Sequence, residues 1–287
     1  MDDLQYNFID ELNYCIGINN IYNNLSVEKL NSLELKVYRV INNFTVLSDI
    51  IIKYKLIRLP LNSKSDIPLI VMVGLSKTSV CNNLSIIIKN INKIYNKYKE
   101  IILFSLDFDS QPESYDKDIL NEYKTKYKEI NKESNLSEYE IYDELKKTMA
   151  IHYCKIIKKI CHNDYYNIID IIGVSFGGSI AIFISSSNEL NIRQLILMAP
   201  GVSNFNNITN KNQNIILGWC IDDIKVPYLE NGKKCIQELE DKKYSDYKII
   251  LNKLNQSRLE ILEKNRDIKN IFELLTHSLQ DDIFDIL

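Results

Sequence analysis

The chain has 287 residues, 45% of them hydrophobic, and 35 basic against 38 acidic side chains leave a net charge of −3. A chain of this size and apolar content can bury a sizeable core, which excludes global disorder. The near balance of charge gives no electrostatic reason to expect nucleic acid or an anionic membrane as partner.

Residues 1–20 are acidic and polar, without the basic and apolar regions of a secretory signal. No apolar stretch reaches the roughly 18 residues a membrane span needs. The expectation is a soluble cytoplasmic protein with no integral membrane association. The six cysteines, Cys15, Cys81, Cys154, Cys161, Cys220 and Cys235, form no CxxC pair and no metal-ligand spacing. They are read as reduced thiols, and no metal or organic cofactor is implied.

Residues 1–34 read as an N-terminal extension, helical in parts, with Leu4, Phe8 and Leu12 at helical spacing. Residues 49–58 alternate polar and apolar, as in a strand with one wet face at the edge of a sheet. Then come short apolar runs without alternation, at 69–73, 101–106, 168–172, 195–198 and 214–217. Such runs suit strands buried on both faces of a parallel sheet. Helical patterns at 84–98, 137–161 and 179–187 lie between them. Strand–helix alternation predicts an α/β domain. Residues 108–136 are polar and rich in Lys, Glu and Tyr, and read as an insertion that could act as a cap. Tyr115, Tyr123 and Tyr127 within it are candidates to line a site or simply to pack on the surface. No repeat or linker divides the chain, so residues 1–287 are expected to form one domain.

Three of only eight glycines, Gly173, Gly177 and Gly178, surround one serine in Gly173-Val174-Ser175-Phe176-Gly177. An apolar strand precedes this segment and a helix follows it. That is the setting in which a serine on a sharp, strained turn exposes its hydroxyl. The glycines are needed because larger residues two positions before and after the serine would strike adjacent backbone. The helix that follows points its first amides at the reacting centre and favours a developing oxyanion.

The segment resembles the nucleophile turn of the α/β-hydrolase superfamily, and the resemblance covers roughly residues 36–287. It implies a mostly parallel eight-stranded sheet flanked by helices, and a triad in the chain order nucleophile, acid, histidine. His277 is the one histidine after Ser175, and chain order selects it. His152 and His162 fall on the helix before the nucleophile strand and are expected to be partly exposed helix residues. The strand at 247–251 leaves a long approach to His277 through the helix-like residues 257–275. The acid ends the preceding strand: Asp223 has the family's offset to Pro227, and Asp222 stays open as the alternative. By the same resemblance the oxyanion hole is made of the backbone amides of Phe176 and Leu75, although Val73-Gly74 stands where the family often has His-Gly.

The implied activity is a serine hydrolase that cleaves an ester or thioester bond of a small-molecule or acyl substrate through an acyl-serine. Two other readings are a peptidase-like amide hydrolase and a non-catalytic binding protein on a hydrolase scaffold.

Overall fold

A computed structural model describes residues 4–6, 37–61, 63–74, 83, 86–87, 90–106, 115–132, 135–201, 208, 213–223, 226–241, 247–252, 283–284 and 287. Among the described residues nine strands form one sheet. They are β1 (Leu4–Tyr6), β2 (Val37–Val46), β3 (Ile50–Pro60), β4 (Leu69–Met72), β5 (Glu100–Leu106), β6 (Ile169–Val174), β7 (Ile192–Met198), β8 (Asn214–Cys220) and β9 (Tyr247–Asn252). Their spatial order is β1-β2-β3-β5-β4-β6-β7-β8-β9. From β5 to β9 every pairing is parallel, while β1, β2 and β3 are added antiparallel at one edge. The expected eight-stranded, mostly parallel sheet is β2 to β9, and the three-residue β1 extends its edge.

Leu4 therefore lies on a strand, paired with Arg39, and not on a helix. The edge of β2 offers unpaired backbone groups, and pairing with them overrides a weak helical periodicity. Phe8 and Leu12 lie outside the described residues.

The burial of β3 follows its sequence. Ile51 is exposed while Ile50 and Ile52 are buried, and both faces are largely covered from Tyr54 onward. The five strands β4 to β8 are buried almost throughout, as their unbroken apolar runs require. Among the described residues the helices are α1 (Ile91–Ile94), α2 (Tyr115–Ile130), α3 (Glu138–Asn163), α4 (Phe176–Ser186) and α5 (Lys233–Asp241), the last preceded by a π-helical turn, Tyr228–Gly232. None is long and apolar enough to cross a membrane.

α3 begins in a capping box. The Glu140 N–H donates to Ser137 Oγ, and the Ser137 N–H donates to Glu140 Oε2 at 2.8 Å. Its 26 residues span roughly 39 Å at the usual helical rise. β6, entered by a short connection from the end of α3, has 6 residues and spans only about 20 Å. α3 thus runs back past the sheet, and its first turns project beyond the carboxyl ends of the strands. The β2–β3 hairpin projects on the same side, because Tyr54 already pairs with Leu106 at the end of β5. α2 lies against both: Lys126 bridges to Asp49 in the hairpin turn at 2.7 Å, and Lys124 bridges to Glu138 at the start of α3 at 3.0 Å. Tyr123 is buried in this helix pair, with Tyr127 tilted beside it; the side chain of Tyr115 lies outside the described residues.

Candidate functional site

The carboxyl end of β6 turns directly into α4 at Ser175. This residue has φ 55° and ψ −121°, a backbone conformation that costs a non-glycine residue of order 1–3 kcal/mol. Four backbone hydrogen bonds hold it there. The Ser175 N–H donates to the Met198 carbonyl at 2.9 Å. The Ser175 carbonyl accepts from the amides of Gly178 at 2.9 Å, Gly201 at 3.2 Å and Ser179 at 3.3 Å. The strained peptide is therefore pinned between the end of β7 and the first turn of α4.

The glycines around it serve close approach, since no described glycine has a positive φ. A β-carbon at Gly173 would stand 2.6 Å from the Gly178 α-carbon. One at Gly177 would overlap the carbonyl of Met72, on the neighbouring strand β4. One at Gly178 would stand 2.9 Å from the Pro200 β-carbon. The elbow can fold only because these positions carry no side chain.

Ser175 is half-buried, and Phe176 after it is the first residue of α4, buried with its side chain toward α3. Phe176 shares a small space with Val73, Gly74, Phe104, Met149 and Tyr153. The end of β4, Val73-Gly74, thus lies beside the first turn of α4. Leu75 lies outside the described residues, as does His277.

Asp223 follows β8, two strands from β6, at the same carboxyl edge. It is 3% exposed, its N–H donates to the Cys220 carbonyl at 3.1 Å, and its Oδ1 accepts from the Val226 N–H at 3.0 Å. Asp222 is more exposed. The chain turns sharply after β8, and Trp219 anchors the turn by donating from Nε1 to the Val226 carbonyl at 2.7 Å. The residues after 252 re-enter the described structure at Ile283 and Phe284, both buried. A β-carbon at Gly218 would stand 3.2 Å from Ile283 Cδ1, so this C-terminal turn packs on β8 just before the aspartates.

The two earlier histidines differ in their surroundings. His162 is exposed in the last turn of α3. His152 is partly covered: it stacks on Phe44 with ring centroids 4.2 Å apart, and its Nε2 lies 3.1 Å from the Tyr54 hydroxyl. Burial, and then the nearby Lys155 charge, hold its pKa below the ordinary value. The same burial pushes the Tyr54 hydroxyl up to about 12. Another group escapes a motif search altogether. Lys146, in the overhanging part of α3, is buried, paired with Asp143 at 2.8 Å and set over the Phe176 ring. Its only sequence signal is the length of α3, which outruns the strand it serves.

Among the described residues no group of three or more His, Cys, Asp or Glu is arranged to hold a metal ion. The described cysteines, Cys154, Cys161, Cys220 and Cys235, are free thiols.

The sheet order, with its antiparallel edge and its elbow at the carboxyl end of β6, is the order expected of an α/β-hydrolase fold. Some solved structures resemble the chain at low identity. An α/β serine hydrolase homologue from Coxiella burnetii is 10% identical, with a TM-score of 0.46 over 82% of this chain and 95% of that one. A ligand-bound rice cell wall degrading esterase from Xanthomonas oryzae is 7% identical, with a TM-score of 0.49 over 88% of this chain and 89% of that one. No curated protein matches the chain. The profile of one sequence family, described as an uncharacterised protein family, UPF0227, matches residues 101–285, a span that runs from β5 through the elbow and the β8 turn to the buried C-terminal turn. The chain therefore belongs to the uncharacterised family UPF0227.

Proposed function

We propose that the protein is a serine hydrolase that cleaves an ester or thioester bond of a small-molecule or acyl substrate. The observation that carries this reading is the backbone of Ser175, held strained at the end of β6 by four hydrogen bonds and three close-packed glycines. A fold keeps such strain where the surrounding structure over-determines it, and serine hydroxyls presented this way are nucleophiles.

In this reading His277 takes the proton of Ser175 as the hydroxyl oxygen attacks the acyl carbon. Asp223 fixes the imidazole tautomer and steadies the imidazolium. The alcohol or thiol leaves with the proton from His277, and water then hydrolyses the acyl-serine by the same route in reverse. The amides of Phe176 and Leu75 would receive the oxyanion. The burial of Asp223 favours it over Asp222 as the acid. His277 precedes the buried Ile283 by 283 − 277 = 6 residues, a tether of at most about 20 Å from the β8 end of the sheet. The whole chain is read as one domain, with residues 108–136 as a cap insertion. Residence in the reducing cytoplasm suits its free thiols.

Labelling with a fluorophosphonate probe tests the reading. Native protein is expected to be labelled, and Ser175→Ala and His277→Ala are not. Folded native protein that resists the probe, or Ser175→Ala labelled as fast as native, removes the catalytic reading and leaves a binding scaffold. A panel of short and long esters, thioesters and aminoacyl amides then separates the substrate classes.

A further inference from the structure

We infer that Lys146 is a positioning residue for the oxyanion amide of Phe176, an inference that rests on the reading of Ser175 as nucleophile. α3 lies along α4, and two consecutive lysines of α3 reach over two phenylalanines of α4. Lys146 Nζ is 5.7 Å from the centroid of Phe176, and Lys147 Nζ is 5.7 Å from the centroid of Phe183. Each ammonium is held by an acid one turn earlier, Asp143 for Lys146 at 2.8 Å and Glu144 for Lys147 at 2.6 Å.

The two contacts differ in what surrounds them. The Lys147 side chain is 44% exposed and its pair is of the kind that contributes little. The Lys146 side chain is 11% exposed, and an ammonium so removed from water must be compensated where it stands. The Asp143 carboxylate and the face of the Phe176 ring are what it meets there. A cation–π contact is worth most in such desolvated surroundings.

The place of Phe176 gives the contact its consequence. Phe183 sits seven residues further along α4, away from the elbow, whereas Phe176 is the first residue of the helix and directly follows the strained Ser175. Its amide must stand about 3 Å from the developing oxyanion to stabilise it. The small space beside its ring is lined mostly by apolar and aromatic residues, Val73, Phe104, Met149 and Tyr153 among them, with Ser105 as a neutral polar neighbour. Lys146 supplies a directional, charged contact on the ring, and so restrains the peptide that starts α4.

The test is the kinetics of inactivation by the same fluorophosphonate probe, with far-UV circular dichroism as the folding control. Lys146→Met is expected to lower the limiting inactivation rate about tenfold, the rate equivalent of one partly desolvated cation–π contact. The half-saturating probe concentration should stay within about twofold, because uniform binding is untouched. Lys146→Arg keeps a cation on the ring and is expected to restore most of the rate. Lys147→Met, the matched contact away from the elbow, is expected to react at the native rate. Phe176→Leu removes the ring and should be slow as well, and adding Lys146→Met to it should slow the reaction no further. If Lys146→Met fails to fold, Phe176→Leu decides the matter, and a native rate there overturns the inference. A native rate in Lys146→Met, no rescue by arginine, or additive losses in the double variant overturns the inference while leaving Ser175 as nucleophile. Absence of labelling in the native protein, or equal labelling of Ser175→Ala, overturns both.

Discussion

The peptide of Gly177 lies so close to the carbonyl of Met72 that a β-carbon on residue 177 would overlap it. The first turn of α4 is thereby seated directly on the end of β4, and the elbow between them has no room to relax. Gly177→Ala is expected to destabilise the protein by about 3 kcal/mol, the upper range for overpacking a tight site. Gly201→Ala makes the comparison, because among the described residues its β-carbon would meet only Ser179 Oγ, at 3.4 Å. That change is expected to stay within about 1 kcal/mol. Urea denaturation of the two variants checks the contrast, and equal losses would contradict it.

Ser175 carries backbone strain that glycine would not feel, given its φ of 55°. Ser175→Gly is therefore expected to raise stability by about 1 kcal/mol while abolishing fluorophosphonate labelling. Thermal unfolding of Ser175→Gly beside Ser175→Ala measures this. If alanine stabilises as much as glycine, release of strain is not the cause.

Asp223 and Asp222 are adjacent in sequence but unequal in burial. Asp223→Asn keeps an oxygen for the Val226 amide but cannot hold an imidazolium. Labelling is expected to slow by about 10³-fold or more, as when a triad acid becomes an amide. Asp222→Asn is expected to react within about twofold of native. The reverse ranking would transfer the acid's role to Asp222.

His152 links burial to pH. Its ring lies on Phe44 and beside the Tyr54 hydroxyl, and burial keeps its folded pKa below the ordinary 6.5. The unfolded chain then binds more protons than the native one as pH falls through about 6.5, so this residue's contribution to stability is present above that value and lost below it. His152→Phe keeps the stacking and removes the titration. The difference in melting temperature between native and variant is expected to widen in the variant's favour from about pH 8 to pH 5. Parallel curves would show that His152 is not responsible.

The parallel strands were legible in the sequence because each is an apolar run too short for a helix and covered on both faces, as in residues 169–174 before the elbow. Ser175 was legible for a related reason: scarce glycines crowd one serine, and Gly173 and Gly177 are required by contacts that any fold of this turn would make. The position of Asp223 could be read as well, since Val226 and Pro227 mark the turn that ends β8. The short strand Leu4–Tyr6, the aromatic setting of His152 and the burial of Lys146 could not. Each depends on a partner far along the chain: Arg39 for Leu4, Phe44 and Tyr54 for His152, Phe176 for Lys146. Local sequence by itself determined which buried segments become parallel strands and where the sharp turn falls, because steric fit and apolar periodicity act over a few residues. Only the tertiary structure decided which polar side chains left water, because burial depends on what the rest of the chain brings alongside.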